Sequence, residues 1–209
     1  MDYTSYRYIY PPRPENKISS ESLKTFENFN IFMAQPKLNG SLMELYTDGS
    51  KFIAMNRHKE PLAQKIGETE LKALHRGNGW MVLCGEYMNK SKQDEDKKIW
   101  NLKYVIFDII VYNGKHLLNS TFEERFNLLK ELYPDNPVKK HLHQISTNCF
   151  RVNSIVKDFK TCFDEITPHE MYEGLVLKKK NAPLENGFRV QNNVKSQIKC
   201  RKSTKNYNF

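Results

Sequence analysis

The run Lys103 to Tyr112 is rich in β-branched and aromatic residues and is closed by Asn113-Gly114, so it predicts a long strand ending in a tight turn. Other strands are written in the same way. Trp80 to Met88 contains the unbroken apolar stretch Met81-Val82-Leu83-Cys84, which reads as a buried strand. Ser41 to Tyr46 and Lys51 to Met55 flank Asp48-Gly49, a pair that favours a β-hairpin. Leu175 to Leu177 and Gln197 to Cys200 are further strand candidates. Helical patterns are interspersed among them. Ser20 to Phe26 predicts a short helix with Ser20 as N-cap and Leu23 and Phe26 on one face, and Glu68 to Arg76 another, ended by Gly77. Ser120 or Thr121 begins a third, in a capping-box relation with Glu123 or Glu124. Its apolar face carries Phe122, Phe126, Leu129 and Tyr133, and Pro134 stops it. Ser154 to Ile166 repeats the pattern through Ile155, Phe159, Cys162, Phe163 and Ile166. Lys90 to Lys98 and Asn181 to Asn193 are polar and read as loops, the first of them mobile. The expected fold is α+β, antiparallel sheets with helices on their outer faces and a cleft between the sheets.

At 209 residues the chain is short for two full domains, so one domain over 1–209 is expected. Residues 1–19 read as an N-terminal arm or edge segment, in which Tyr3, Tyr6, Tyr8 and Tyr10 precede Pro11-Pro12-Arg13-Pro14. With Arg7 and Arg13 those rings either stack on nucleic-acid bases or pack on the domain. A net charge of +9 is either a solubilising surface excess or an attraction to a polyanion, since cations that neutralise phosphates release condensed counterions. The basic residues concentrate in Lys178 to Lys180 and Lys195 to Lys205. Cys84, Cys149, Cys162 and Cys200 are far apart, which suggests neither a zinc site nor a disulfide framework. No stretch has the length and apolarity of a bilayer span, and Met1 to Tyr10 has no signal pattern. A soluble, cytoplasmic protein without membrane contact is expected.

The candidate chemistry centres on Gln35-Pro36-Lys37-Leu38-Asn39-Gly40, placed where the mostly apolar run Phe29 to Ala34 ends and the chain turns. A lysine there either decorates the surface or points into a cleft as a nucleophile. As a nucleophile it must be neutral, and the expected aids are nearby cations, namely Lys178, Lys199, Arg201 and a divalent metal. Lys199 and Arg201, two apart on a strand, project from one face and reach one phosphate, or else decorate a solvated edge. Glu86 and Glu173 each sit beside a glycine next to an apolar run, where a carboxylate needs a metal, a ribose hydroxyl or a salt bridge. Phe107 offers a flat face to a purine or is ordinary core. Gln35 reads an adenine edge or supports the turn.

In order and rough interval these motifs resemble the covalent nucleotidyltransferases, the ATP-dependent DNA and RNA ligases and mRNA capping enzymes. Lys37-Leu38-Asn39-Gly40 is similar to their first motif, with asparagine where aspartate is usual. The resemblance implies that Lys37 is the adenylylated nucleophile and that Arg57, in Asn56-Arg57, contacts the substrate side. It implies Glu86 near the ribose or metal, Phe107 stacked on the base, Glu173 and Lys178 at metal and phosphate, and Lys199 and Arg201 as the paired cations of the last motif. Arg201 stands where a lysine is usual, keeping the charge but presenting a planar fork. Gln35 and Asn39 complete the nucleotide-binding set, and Glu86 and Glu173 the metal set.

The implied activity is an ATP-dependent polynucleotide ligase using ATP and Mg2+ (or Mn2+), acting as a monomer on nucleic acid. Asn39 and the phage-type look of Ile198-Lys199-Cys200-Arg201 favour RNA as substrate, with DNA as the nearest rival. GTP-dependent capping and non-catalytic nucleic-acid binding are the other readings. The chain stops at Phe209, leaving no room for the OB-fold of DNA ligases and capping enzymes, which implies either a minimal ligase or a catalytic domain of something longer.

Overall fold

The computed structural model describes residues 16–184 and 196–203. The tyrosine-rich arm through residue 15, most of the second polar loop, and Lys195 and Lys205 lie outside the described residues. In chain order the strands are β1 (Lys17–Ile18), β2 (Phe32–Leu38), β3 (Ser41–Thr47), β4 (Phe52–Met55), β5 (Met81–Met88), β6 (Lys92–Gln93), β7 (Ile99–Trp100), β8 (Lys103–Tyr112), β9 (Lys115–His116), β10 (Pro137–Lys139), β11 (Leu142–Gln144), β12 (Cys149–Val152), β13 (Tyr172–Lys179) and β14 (Gln197–Arg201). The α-helices are α1 (Leu23–Asn28), α2 (Glu68–Lys72), α3 (Phe122–Leu132) and α4 (Phe159–Ile166).

Two main sheets form. The smaller runs β1-β14-β13-β2, and the larger runs β10-β11-β12-β8-β5-β3-β4 with β9 on β8. The lysine-bearing strand β2 belongs to the first sheet, and Asn39-Gly40 carries the chain directly into β3 of the second. That crossing explains why Lys37 sits where the sheets meet. Most neighbours are antiparallel, as expected, but β12 pairs with β8, and β1 with β14, in parallel.

Between the sheets, Phe32, Ala34, Leu175, Leu177 and Cys200 pack with Val105 and Phe150 and with Phe159, Cys162 and Phe163 of α4. On the far face of the larger sheet, Met43, Leu45, Leu83, Ile106 and Ile109 pack with Leu71 of α2 and Leu129 of α3. Alternation along β5 and β8 therefore feeds both cores, which is why these strands are apolar almost throughout.

The expected β3–β4 hairpin, β5, β8 and the Thr121–Glu124 capping box are all present. Four details differ. The first helix begins as a 3-10 turn over Ser20–Ser22 with Ser19, not Ser20, as N-cap. The second ends at Lys72, short of Gly77. The helix expected from Ser154 starts only at Phe159, because the Ile155 backbone is already paired with Ala34 of β2 and Asp158 adopts a left-handed conformation with φ 61°. The expected mobile loop Lys90 to Lys98 is a built hairpin of β6 and β7. Buried Asp94 accepts from Trp100 Nε1 and pairs with Lys139 at 2.8 Å.

Gly174 is a glycine whose lack of a side chain the fold requires. Its φ is 138°, and a Cβ there would overlap the Cys200 carbonyl oxygen on β14. We expect Gly174→Ala to lower stability by at least about 2 kcal/mol through strain and displaced strand pairing. A thermal melt within about 1 °C of wild type would contradict this.

Candidate nucleotidyl-transfer site

Register on β2 and β13 brings the first carboxylate to the lysine. Tyr172 faces Leu38 and Gly174 faces Lys37, so Glu173 is the extra residue of a bulge. Lys37 Nζ donates to Glu173 Oε2 at 2.5 Å. On β14, Arg201 lies opposite Gly174, and its Nε and Nη2 both donate to the same Glu173 oxygen, the Nε bond at 3.2 Å. Glu173 is thus shared between two cations. Burial opposes its ionisation, but Lys37 and Arg201 outweigh burial and hold its carboxyl below the usual range.

Glu86 approaches from the larger sheet. Its Oε1 accepts from the Gly40 N–H at 3.0 Å, which ties the turn after the lysine to β5. Burial pushes its carboxyl up to about 7, against the pull of Lys37, the Gly40 N–H and Arg201, while the Glu173 charge pushes it further. Of the cations expected beside Lys37, Arg201 reaches it through the shared Glu173 carboxylate, and the salt bridge to a lysine that is one reading of Glu173 is present. The direct partner of Lys37 is a carboxylate, and this follows from the bulge, which sequence spacing does not reveal.

A second group lies along the cleft floor. Gln35, two residues before Lys37 on β2, is buried and donates from Nε2 to the Phe107 carbonyl at 3.2 Å. Its Oε1 is buried without a hydrogen-bond partner. Lys178 Nζ lies 4.9 Å from the Phe107 ring centroid and 4.6 Å from that of Phe122. Burial drops the Lys178 amine to about 8, although Asp108 pulls the other way. Asp108 itself takes a bidentate pair from Arg125, with Nε to Oδ1 at 2.9 Å and Nη2 to Oδ2 at 3.0 Å.

Lys37, Glu86, Glu173 and Arg201 therefore converge, and Gln35, Phe107 and Lys178 form the adjoining floor. Lys199 projects from β14 two residues from Arg201, opposite Val176. Asn39 points elsewhere, donating from Nδ2 to the Glu170 carbonyl at 3.1 Å. Arg57 lies in an exposed turn after β4, where its Nε donates to His58 Nε2 at 3.0 Å. Sequence reasoning left out Asp108 and Arg125. The signals were an aspartate within the apolar β8 run and an arginine on the apolar face of α3. Buried Glu44, which accepts from Tyr46 at 2.6 Å, carried the same signal.

Among the described residues no group of three or more His, Cys, Asp or Glu side chains could hold a metal by themselves. Mg2+ needs only one or two carboxylates when phosphate oxygens and waters complete its shell. Glu86 and Glu173 fit that role, because Glu86 is a half-buried carboxyl with a raised pKa that a cation would satisfy.

The comparisons with known proteins give the class, a nucleotidyltransferase adenylation domain of the ligase type. Solved structures agree on the fold. The ligase domain of M. tuberculosis LigD superposes with a TM-score of 0.52 at 16% identity, over 81% of this chain and 53% of that one. The Chlorella virus DNA ligase-adenylate gives 0.57 at 13% identity, over 93% and 68%. The family described as "ATP dependent DNA ligase domain" matches residues 68–197, and the chain belongs to that family. A curated relative, the DNA ligase of Nitrosopumilus maritimus (strain SCM1), is 24% identical over 203 residues, 86% of this chain. The chain spans 33% of that relative's length. Among the described residues no helix is long and apolar enough to cross a membrane.

Proposed function

We propose that the chain is the adenylation domain of an ATP-dependent polynucleotide ligase, with Lys37 as the residue that takes AMP. The observation that carries this reading is the Lys37–Glu173–Arg201 triad closed by Glu86. In the resting arrangement Lys37 is ion-paired. Attack needs the neutral amine, so Lys37 leaves the Glu173 ion pair and releases its proton to solvent, because a carboxylate held below its usual range by Lys37 and Arg201 is too weak a base to keep it. The Lys37 nitrogen then bonds to the α-phosphorus of ATP while the bond to the pyrophosphate oxygen breaks. Arg201 and Lys199 neutralise the charge on the transferring phosphate. Glu86 and Glu173 would hold Mg2+, which supplies further charge neutralisation at the phosphates. The AMP next passes to a 5′-phosphate, and a 3′-hydroxyl displaces it to join the strand.

Adenine rather than guanine is supported by Gln35. Its unpartnered Oε1 is an acceptor, matching the amino group that adenine carries at the position where guanine carries an oxygen. With labelled nucleotide and magnesium, ATP should label the chain at least about tenfold more efficiently than GTP, since a mismatch leaves buried polar atoms unpaired. Gln35→Ala should narrow that ratio. Equal labelling, or preference for GTP, would favour capping chemistry instead.

DNA is the strand named for the relatives and supports sealing of nicked DNA. RNA is the second reading, favoured by Asn39. Sealing of nicked DNA, RNA and hybrid duplexes side by side separates the two. Salt-sensitive binding without any adduct would reduce the protein to a nucleic-acid binder.

A further inference from the structure

The bulge that aims Glu173 at Lys37 is stable only if both of its sides are pinned, because an extra residue breaks the regular ladder there. On one side the strained Gly174 pairs with Arg201 of β14. On the other side stands Asn39. Its backbone N–H donates to the Met171 carbonyl at 3.0 Å and its side-chain Nδ2 to the Glu170 carbonyl at 3.1 Å. The same turn is held from behind by the β6–β7 hairpin. Gln93 N–H donates to Glu170 Oε2 at 3.3 Å, and Met171 N–H donates to the Gln93 carbonyl at 3.0 Å.

We propose that Asn39 is a positioning residue whose side-chain amide fastens the Glu170–Met171 backbone and thereby fixes the bulge that presents Glu173 to Lys37. This rests on the reading of Lys37 as the nucleophile. A carbonyl oxygen accepts only, so position 39 must donate. An ionised aspartate cannot donate, and it would set a carboxylate against the Glu170 carbonyl. The aspartate usual in the resembled first motif is therefore the damaging substitution in this chain. Asn39 is half-buried, so replacing it leaves the core intact.

The test compares Asn39→Asp and Asn39→Ala with wild type in single-turnover labelling by ATP. Adduct formation should slow about tenfold in the aspartate variant and about threefold in the alanine variant, with the KM for ATP unchanged. The aspartate deficit should shrink relative to wild type as pH falls, because a protonated carboxyl regains an O–H donor. Hydrogen exchange provides a readout that needs no activity, and the backbone N–H groups of position 39 and Met171 should exchange faster in the aspartate variant. A rate equal to or above wild type, or unchanged exchange at both amides, overturns the proposal. A wild-type chain that forms no adduct overturns the reading of Lys37, and the exchange comparison then decides Asn39 alone.

Discussion

Lys37→Ala and Lys37→Arg are expected to lose covalent nucleotide transfer entirely while keeping the fold. Alanine has no nucleophile. Arginine keeps the charge, and hence the pairing with Glu173, but its guanidinium stays protonated and cannot attack phosphorus. The fold survives because Lys37 and Glu173 are both partly exposed and Arg201 still neutralises Glu173 through its own bonds. The two variants together separate charge from nucleophilicity. Labelled adduct on either one, in protein with a wild-type melt, would remove Lys37 from its proposed role.

The largest effect on stability is expected at Arg125. Its bidentate pair with Asp108 is almost wholly shielded, with side-chain exposures of 3% and 4%. Arg125→Met leaves Asp108 charged and buried with only the Ile109 N–H and the Lys178 charge to offset it. Breaking one side of a buried pair costs about 3–5 kcal/mol, which in a chain of this size corresponds to a melting temperature about 6–20 °C lower. The double variant Asp108→Asn with Arg125→Met should recover part of that loss, since no buried charge is stranded. A drop of under about 2 °C in the single variant would show the pair contributes little. The pH dependence has a definite sign. Burial opposes ionisation of Asp108, but Arg125 and Lys178 hold its carboxyl below its ordinary value. The pair's contribution is therefore complete above that value and is lost as pH falls through the lower folded value.

What was legible in the sequence was what local chemistry dictates. The β8 run, the Asp48-Gly49 hairpin and the Thr121 capping box are each specified within a few residues, and each formed where expected. What stayed hidden depends on distant partners. The β6–β7 hairpin reads as polar loop because Asp94 is buried only by Trp100 and by Lys139 from another sheet edge. Strands β10 to β12 are short, and β12 joins the sheet through a parallel pairing with β8 that no neighbouring residue announces. The site follows the same rule. Lys37, Glu86, Glu173 and Arg201 carry visible motifs and converge, whereas the Glu173 bulge and the Arg125 support under the floor arise from register and packing. Arg57 resembled a motif in two letters only, and the structure leaves it in an exposed turn.

The central claim is that one particular amine takes the nucleotide. Wild-type chain incubated with ATP and magnesium, then digested and read by peptide mass spectrometry, should carry a single adenylyl group on the peptide containing Lys37, with fragmentation placing it on that side chain. An adenylyl group on Lys178 or Lys199 instead, or none on any lysine, would contradict the account.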